Sequence, residues 1–200
     1  MKRTKRRHTD RLFSRLDDSC KDLRGVGVGK ARKGREGGKK RHSDRVRLVP
    51  LPKLLKCRWY FFSLWVKIAQ DWTCITCGFR DAGHTDTMQA SHLFHGNYYD
   101  NNKFIVNCQC NSCHYLMGVK SGAGDKMHSL YEEKARMKWG SEAIDKARNE
   151  THCIARWNRS DVEAEILTYY AIVASSSFYL ERPIDRKFEK VVKNILSRRP

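Results

Sequence analysis

The sequence predicts an α+β fold in which a small cysteine-stapled hairpin and helix are embedded in longer helices, behind a basic amino-terminal arm. Three observations lead there. Two CxxC pairs, Cys74–Cys77 and Cys110–Cys113, frame a stretch of short, glycine-punctuated segments. Helical periodicity occupies the chain on both sides of that stretch. The segment from Met1 to Arg47 carries 18 Lys and Arg against 6 Asp and Glu and has little apolar content.

Residues 1–48 read as a flexible, disordered arm, because so few apolar side chains cannot offset the entropy of ordering the backbone. A short helix around Asp10 to Leu23 is the one element expected within it. The string GVGVGK looks like a phosphate loop, but its spacing departs from GxxxxGK[ST] and no apolar strand precedes it, so a nucleotide site is not expected. Pro50 and Pro52 mark the entry to the folded part. Leu55, Trp59, Phe62, Val66 and Ala69 then recur at helical spacing and predict an amphipathic helix over roughly Lys53 to Asp71, its aromatic stripe facing the core. From Trp72 to Asn111 the pattern fits hairpin strands and a loop. A helix from Met127 to Trp139 is expected to stop at Gly140. Ser141 is expected to cap a short helix reaching Asn149. Ser160 with Glu163 reads as a capping box for a helix over Val162 to Phe178. After Pro183, Ile184, Phe188, Val191, Val192 and Ile195 stripe a last helix. The organisation is thus an arm at 1–48, a core at 49–150 and a helical extension at 151–200.

Charge narrows the function. The net charge of +18 and an isoelectric point near 9.8 imply a polyanionic partner, since self-repulsion of that size works against a compact state. Residues 48–200 hold 22 basic against 16 acidic side chains, so the arm carries most of the excess. The most apolar stretch, Trp59 to Trp72, is too short and too polar to span a membrane. The opening MKRTKRRHTDR has no apolar run behind it and does not resemble a secretory signal. A reducing, cytoplasmic setting is therefore expected, in which paired CxxC spacings favour metal binding over disulfides.

Four thiolates from two such knuckles make a closed tetrahedral site, the chemistry of a structural zinc. Between and beside them lie His84, His92, His95 and His114. Cys108 falls at the wrong offset for a ligand and reads as a buried thiol. Cys20, Cys57 and Cys153 have no partner spacing, and His152–Cys153 lacks a second knuckle.

The stretch LPKLLKCRWYFFSLWVKIAQDWTCITCG, then MQASH, then QCNSCHYLMG, resembles the phage lambda NinG (Rap) recombination endonuclease family. That family shows a helix, CxxCG, a motif close to MQAGHF, QCxxCNxxLxG and a tyrosine-containing helix. Here Tyr131 and the MKWG ending at Gly140 stand where that last helix is expected. The likeness covers roughly residues 51–150, about half of the chain. It implies a zinc-bound ββα-metal core (HNH, treble-clef-like) that cleaves branched DNA such as Holliday junctions or D-loops, in a phage-infected bacterial cell. By the same resemblance Cys74, Cys77, Cys110 and Cys113 are the zinc ligands. His92 is the general base, and His114 a ligand to a catalytic Mg²⁺ or Mn²⁺. The middle asparagine of the motif falls at Ile105 in this chain, so Asn107, or Asn101 or Asn102 with a loop shift, takes its place. The residue before the base is Ser91, where many HNH enzymes have aspartate. Asp81, Asp86 and Asp100 are the carboxylates near enough in sequence to join the metal shell.

The chemistry is coherent on its own terms. Phosphodiester hydrolysis needs a base that works near neutral pH and a cation with an open position, which a four-cysteine zinc lacks. A non-catalytic zinc module that binds nucleic acid is the competing reading, and it would not require His92 or His114. A sequence-specific homing-type nuclease would differ in substrate only. His84 and His95 are assigned to DNA contact or surface exposure. Symmetric cutting of a junction needs two active sites, which makes a homodimer through the C-terminal helices an expectation.

Overall fold

The computed structural model describes residues 48–84, 86–94, 102–120, 122–150, 157–178 and 182–199. The basic arm with its expected helix, and His95, Asp100, Asn101, His152 and Cys153, lie outside them.

The first helix, α1 (Leu51–Ala69), starts behind Pro50 with Pro52 in its first turn, where a missing N–H costs no hydrogen bond. It ends in a Schellman motif. The Trp72 N–H donates to the Lys67 carbonyl (2.8 Å) and the Asp71 N–H to that of Ile68 (3.0 Å). Asp71 holds the left-handed φ of 52° that the motif requires. The expected single stripe understates this helix. Leu54, Cys57, Arg58, Phe61, Phe62, Leu64 and Val66 are buried, while Leu55 and Trp59 are only half-buried and Ala69 is exposed. The reason is tertiary. α1 packs on the hairpin and on two later helices at once, so it buries more than one face.

The hairpin pairs β1 (Met88–His92) antiparallel to β2 (Val106–Cys110), in the register Met88↔Cys110 to His92↔Val106. Every residue of β2 is buried. Its edge facing away from β1 is also occupied. The Cys108 carbonyl accepts from Ile75 N–H (2.8 Å), and the Cys108 N–H donates to Gln70 Oε1 (3.0 Å). A short helix, α2 (Asn111–Met117), follows β2 without a linker, and α3 (Gly122–Trp139) packs against it. Gly140, at φ 90°, separates α3 from α4 (Ser141–Asn149). Ser141 is therefore the first helical residue and not the cap, because Gly140 occupies that place and makes no side-chain bond.

Two further long helices follow among the described residues. α5 (Arg159–Ala174) is the main partner of α1. Phe61 meets Tyr170 edge-on at 5.5 Å, Phe62 meets Tyr169 at 5.4 Å, and Arg58 pairs with Glu165. The expected Ser160–Glu163 box is replaced by an Asn158 cap, whose side chain accepts from Ser160 N–H (3.2 Å). Glu163 instead takes Arg198 (2.9 Å) and Arg159 (3.4 Å). α6 (Arg186–Leu196) is capped by Asp185 and buries Val192 and Ile195. Among the described residues no helix is long and apolar enough to cross a membrane.

Candidate metal centre and its histidine neighbours

The first knuckle is shaped by its backbone. The Cys74 N–H donates to the Phe79 carbonyl (2.8 Å), and the Gly78 N–H returns to that of Cys74 (2.9 Å). Gly78 sits at φ 75°, which a side chain would strain. The Ile75 bond to Cys108 docks this loop on β2, next to the second knuckle. There Cys110 is both the last residue of β2 and the N-cap of α2, and its sulfur accepts from Cys113 N–H (3.5 Å). Asn111 fixes the approach of β1. Its Nδ2 donates to the Asp86 carbonyl (2.9 Å), and its Oδ1 accepts from Gln89 (2.8 Å). Thr76 is buried and accepts from the buried Gln109 amide (2.9 Å), so a polar side-chain bond also links the knuckle to β2.

These contacts bring Cys74, Cys77, Cys110 and Cys113 together. Their sulfurs all lie within 4.8 Å of one another. Cys77 Sγ and Cys110 Sγ are 3.8 Å apart, and a tetrahedron with metal–sulfur bonds of about 2.3 Å has edges of about 3.8 Å. The donor set and spacing fit a zinc-sized ion. The thiols need such an ion to ionise together. Burial raises the Cys74 thiol, but the N–H groups of Cys110, Cys77 and Thr76 outweigh it and draw that thiol below its ordinary value. Burial pushes Cys77 and Cys113 upward, and neighbouring sulfurs add to the rise. A divalent cation would supply the charge that lets the four sulfurs ionise together. With four sulfur ligands an ion here would have no open position, which is the chemistry of a closed, structural site.

His92 closes β1 opposite Val106, at the end of the hairpin remote from the cysteines. Cys110 lies four steps along β2 from Val106, about 13 Å of backbone. Its ring is half-buried and stacks on Trp59 of α1, with centroids 4.8 Å apart and planes within 14°. The backbone just beyond it is held on both sides. The Leu93 N–H donates to the Ile105 carbonyl (2.8 Å), and the Leu93 carbonyl meets His128 Nε2 of α3 at 2.8 Å. His114 is half-buried on α2, one residue past Cys113.

Asn107 is fully buried. Its Oδ1 accepts from Gln70 (3.0 Å) and from the Trp139 indole (3.0 Å). Its backbone N–H donates to the Tyr131 hydroxyl (3.1 Å), which itself donates to the Ser91 carbonyl (2.6 Å). Ser91 and Asn107 face each other in the register, so this network clamps both strands next to His92. Asn102 turns the loop before β2, its Oδ1 accepting from Phe104 N–H (2.9 Å). Asp81 is buried and bonded by Thr87 (2.7 Å), while Asp86 is exposed beside Arg182 (3.7 Å). Neither joins the metal-ligating group. His84 is not a plain surface residue: it is half-buried, with Trp72 at 5.1 Å and Phe178 at 6.0 Å. Cys108 is a buried thiol pushed up to about 12 by burial.

Sequence reasoning missed Trp59 as the partner of His92, His128, and the Gln70–Asn107–Trp139–Tyr131 network. Only the resemblance marked Tyr131. No local spacing signals such contacts, because their members are 24 to 37 residues apart. No protein-family model, curated protein or solved structure matches the chain.

Proposed function

We propose that this chain is a metal-dependent DNA endonuclease of the HNH (ββα-metal) type, acting on branched recombination intermediates. The order of chemistry along one small unit carries the reading. A cysteine knuckle comes first, then a strand ending in His92, a strand ending in Cys110, and a helix bearing Cys113 and His114. The +18 charge supports a phosphate-rich partner.

In this mechanism an imidazole nitrogen of His92 takes a proton from water, and the resulting hydroxide attacks phosphorus. The bond from phosphorus to the departing deoxyribose oxygen breaks, and that oxygen leaves as an alcohol after gaining a proton. Stacking on Trp59 and the clamped Ser91–Asn107 pair hold the imidazole in place. Asn107 acts here as a positioning residue. A Mg²⁺ or Mn²⁺ ion bound through His114 would neutralise charge building on the phosphate. The four cysteines hold a structural zinc beside that helix.

The alternative is a non-catalytic zinc module that binds nucleic acid. One observation favours it. Among the described residues the four cysteines form the one group suited to a metal, and the Asn107 amide is committed to the core. Cleavage of labelled linear, D-loop and four-way-junction DNA with Mg²⁺ or Mn²⁺ separates the two. The endonuclease reading expects nicked branched DNA, and a His92→Ala chain that binds equally but cuts about 10²–10⁴-fold more slowly. Tight binding without cleavage under either metal selects the zinc module.

A further inference from the structure

A groove of about 450 Å³ runs between α1 and α6, lined by Leu55, Lys56, Trp59, Tyr60, Ser63 and Phe188. Three of the six side chains are aromatic and none is acidic. Tyr60 and Phe188 stack at 4.2 Å across the groove, and the Tyr60 hydroxyl accepts from Asp185 N–H (3.0 Å), which fixes the start of α6. Lys187 Nζ lies 4.7 Å from the Phe188 ring centre. Trp59 belongs both to this groove and to the stack on His92. Of the cations on the two helices, Arg58 is buried against Glu165, Lys67 lies over Trp72, Lys187 pairs with Asp185 and Lys193 with Glu189, while Lys53, Lys56, Arg186 and Lys190 supply the remaining positive charge.

From this we infer that the groove receives one unpaired base of the DNA substrate, stacked on its aromatic wall with the flanking phosphates on the lysines of α1 and α6. The volume suits a single nucleotide and is far too small for a duplex. Aromatic walls under a positive field are the chemistry by which proteins hold single strands, because every base offers a π face. Branched DNA supplies unpaired or easily unpaired bases at its junction. A base held here is brought beside Trp59, the wall shared with the imidazole of His92. The inference rests on the endonuclease reading for its substrate, but not for the binding chemistry.

The test uses the full zinc-loaded chain without added Mg²⁺ or Mn²⁺, and single-stranded and four-way-junction DNA carrying 2-aminopurine at the unpaired position. Stacking in the groove quenches that fluorophore. Replacing Trp59 or Phe188 would disturb the core, so the informative variants are Ser63→Gln, which fills the groove from its wall, and Lys56→Glu, on an exposed position. Ser63→Gln is expected to abolish quenching and weaken single-strand binding about five- to 150-fold. Lys56→Glu is expected to weaken binding and flatten its salt dependence. Binding by the wild type without quenching, or variants that bind and quench like the wild type, overturns the inference. When Mg²⁺ is then added, cleavage of junctions whose probe stayed unquenched would leave the endonuclease reading standing and remove the groove. Quenching lost in Ser63→Gln, in a chain that never cuts with Mg²⁺, would do the reverse.

Discussion

One hydroxyl, that of Tyr131, ties two strands and a helix together, and its removal shows what a single buried polar atom is worth. Tyr131→Phe leaves the Ser91 carbonyl and Asn107 N–H without this partner in the core. A loss of about 1–3 kcal/mol is expected, read from urea unfolding of the zinc-loaded chain. A loss under about 0.3 kcal/mol would mean that the clamp is not needed. Cys57 gives a pH dependence. It is fully buried, and burial pushes its thiol up to about 12 from an ordinary value of 9.0. The folded state therefore prefers the neutral thiol. This contribution is complete below pH 9 and is lost as the pH rises toward 12. Cys57→Ala should show a shallower decline in stability over that window than the wild type; parallel curves would discard the assignment. At this scale the sequence was most legible where spacing is local. CxxC announced its own geometry, and the Cys108 offset marked a buried thiol. The Asn107 network stayed hidden because its partners come from the end of α1 and from α3.

Elements were legible in kind and less so at their ends. All the described long helices stand within a few residues of where periodicity puts them, apart from the early start of α3 at Gly122 and the early end of α5 at Ala174. Both helix starts assigned to serine were misplaced, since Asn158 and Gly140 each lie before the serine and take the capping position. The knuckle turn offers a clean test of backbone conformation. A Cβ at Gly78 meets nothing within 4 Å, so Gly78→Ala adds only the strain of a positive φ. That strain is about 1–2 kcal/mol. Competition with a chelator of known affinity should show zinc held about five- to 30-fold more weakly in this variant. Unchanged affinity would mean that the turn relaxes freely. Gly140→Ala faces a greater strain, because φ 90° with ψ 146° is a region that essentially only glycine enters, and from the link between α3 and α4 it should lower stability without loosening zinc.

For the whole molecule, charge and metal act on different properties. Deleting residues 1–47 removes 18 of the 40 Lys and Arg. Under the proposed nuclease reading, DNA affinity should then fall and the slope of log K against log salt should flatten by about 0.9 for each lost phosphate contact. An unchanged slope would take the arm out of binding. Chelation acts on the core instead. Withdrawing the ion frees the first knuckle from Cys110 and Cys113, and cooperative unfolding or a large drop in midpoint temperature is expected by calorimetry. The general architecture, helices around a short hairpin, could be read from the sequence because periodicity is a property of single segments. The central place of α1 could not, since it depends on partners more than a hundred residues away: Arg58 meets Glu165 and Tyr60 meets Asp185. That separation sets a schedule for the nascent chain. At about 5–20 residues per second, α1 leaves the ribosome several seconds before α5 and α6 are made. Throughout that interval Phe61, Phe62 and Trp65 lack their covering tyrosines. Chaperone capture, or self-association of incomplete chains, should therefore be greatest for products truncated just before Arg159, and should vanish once Leu196 has emerged.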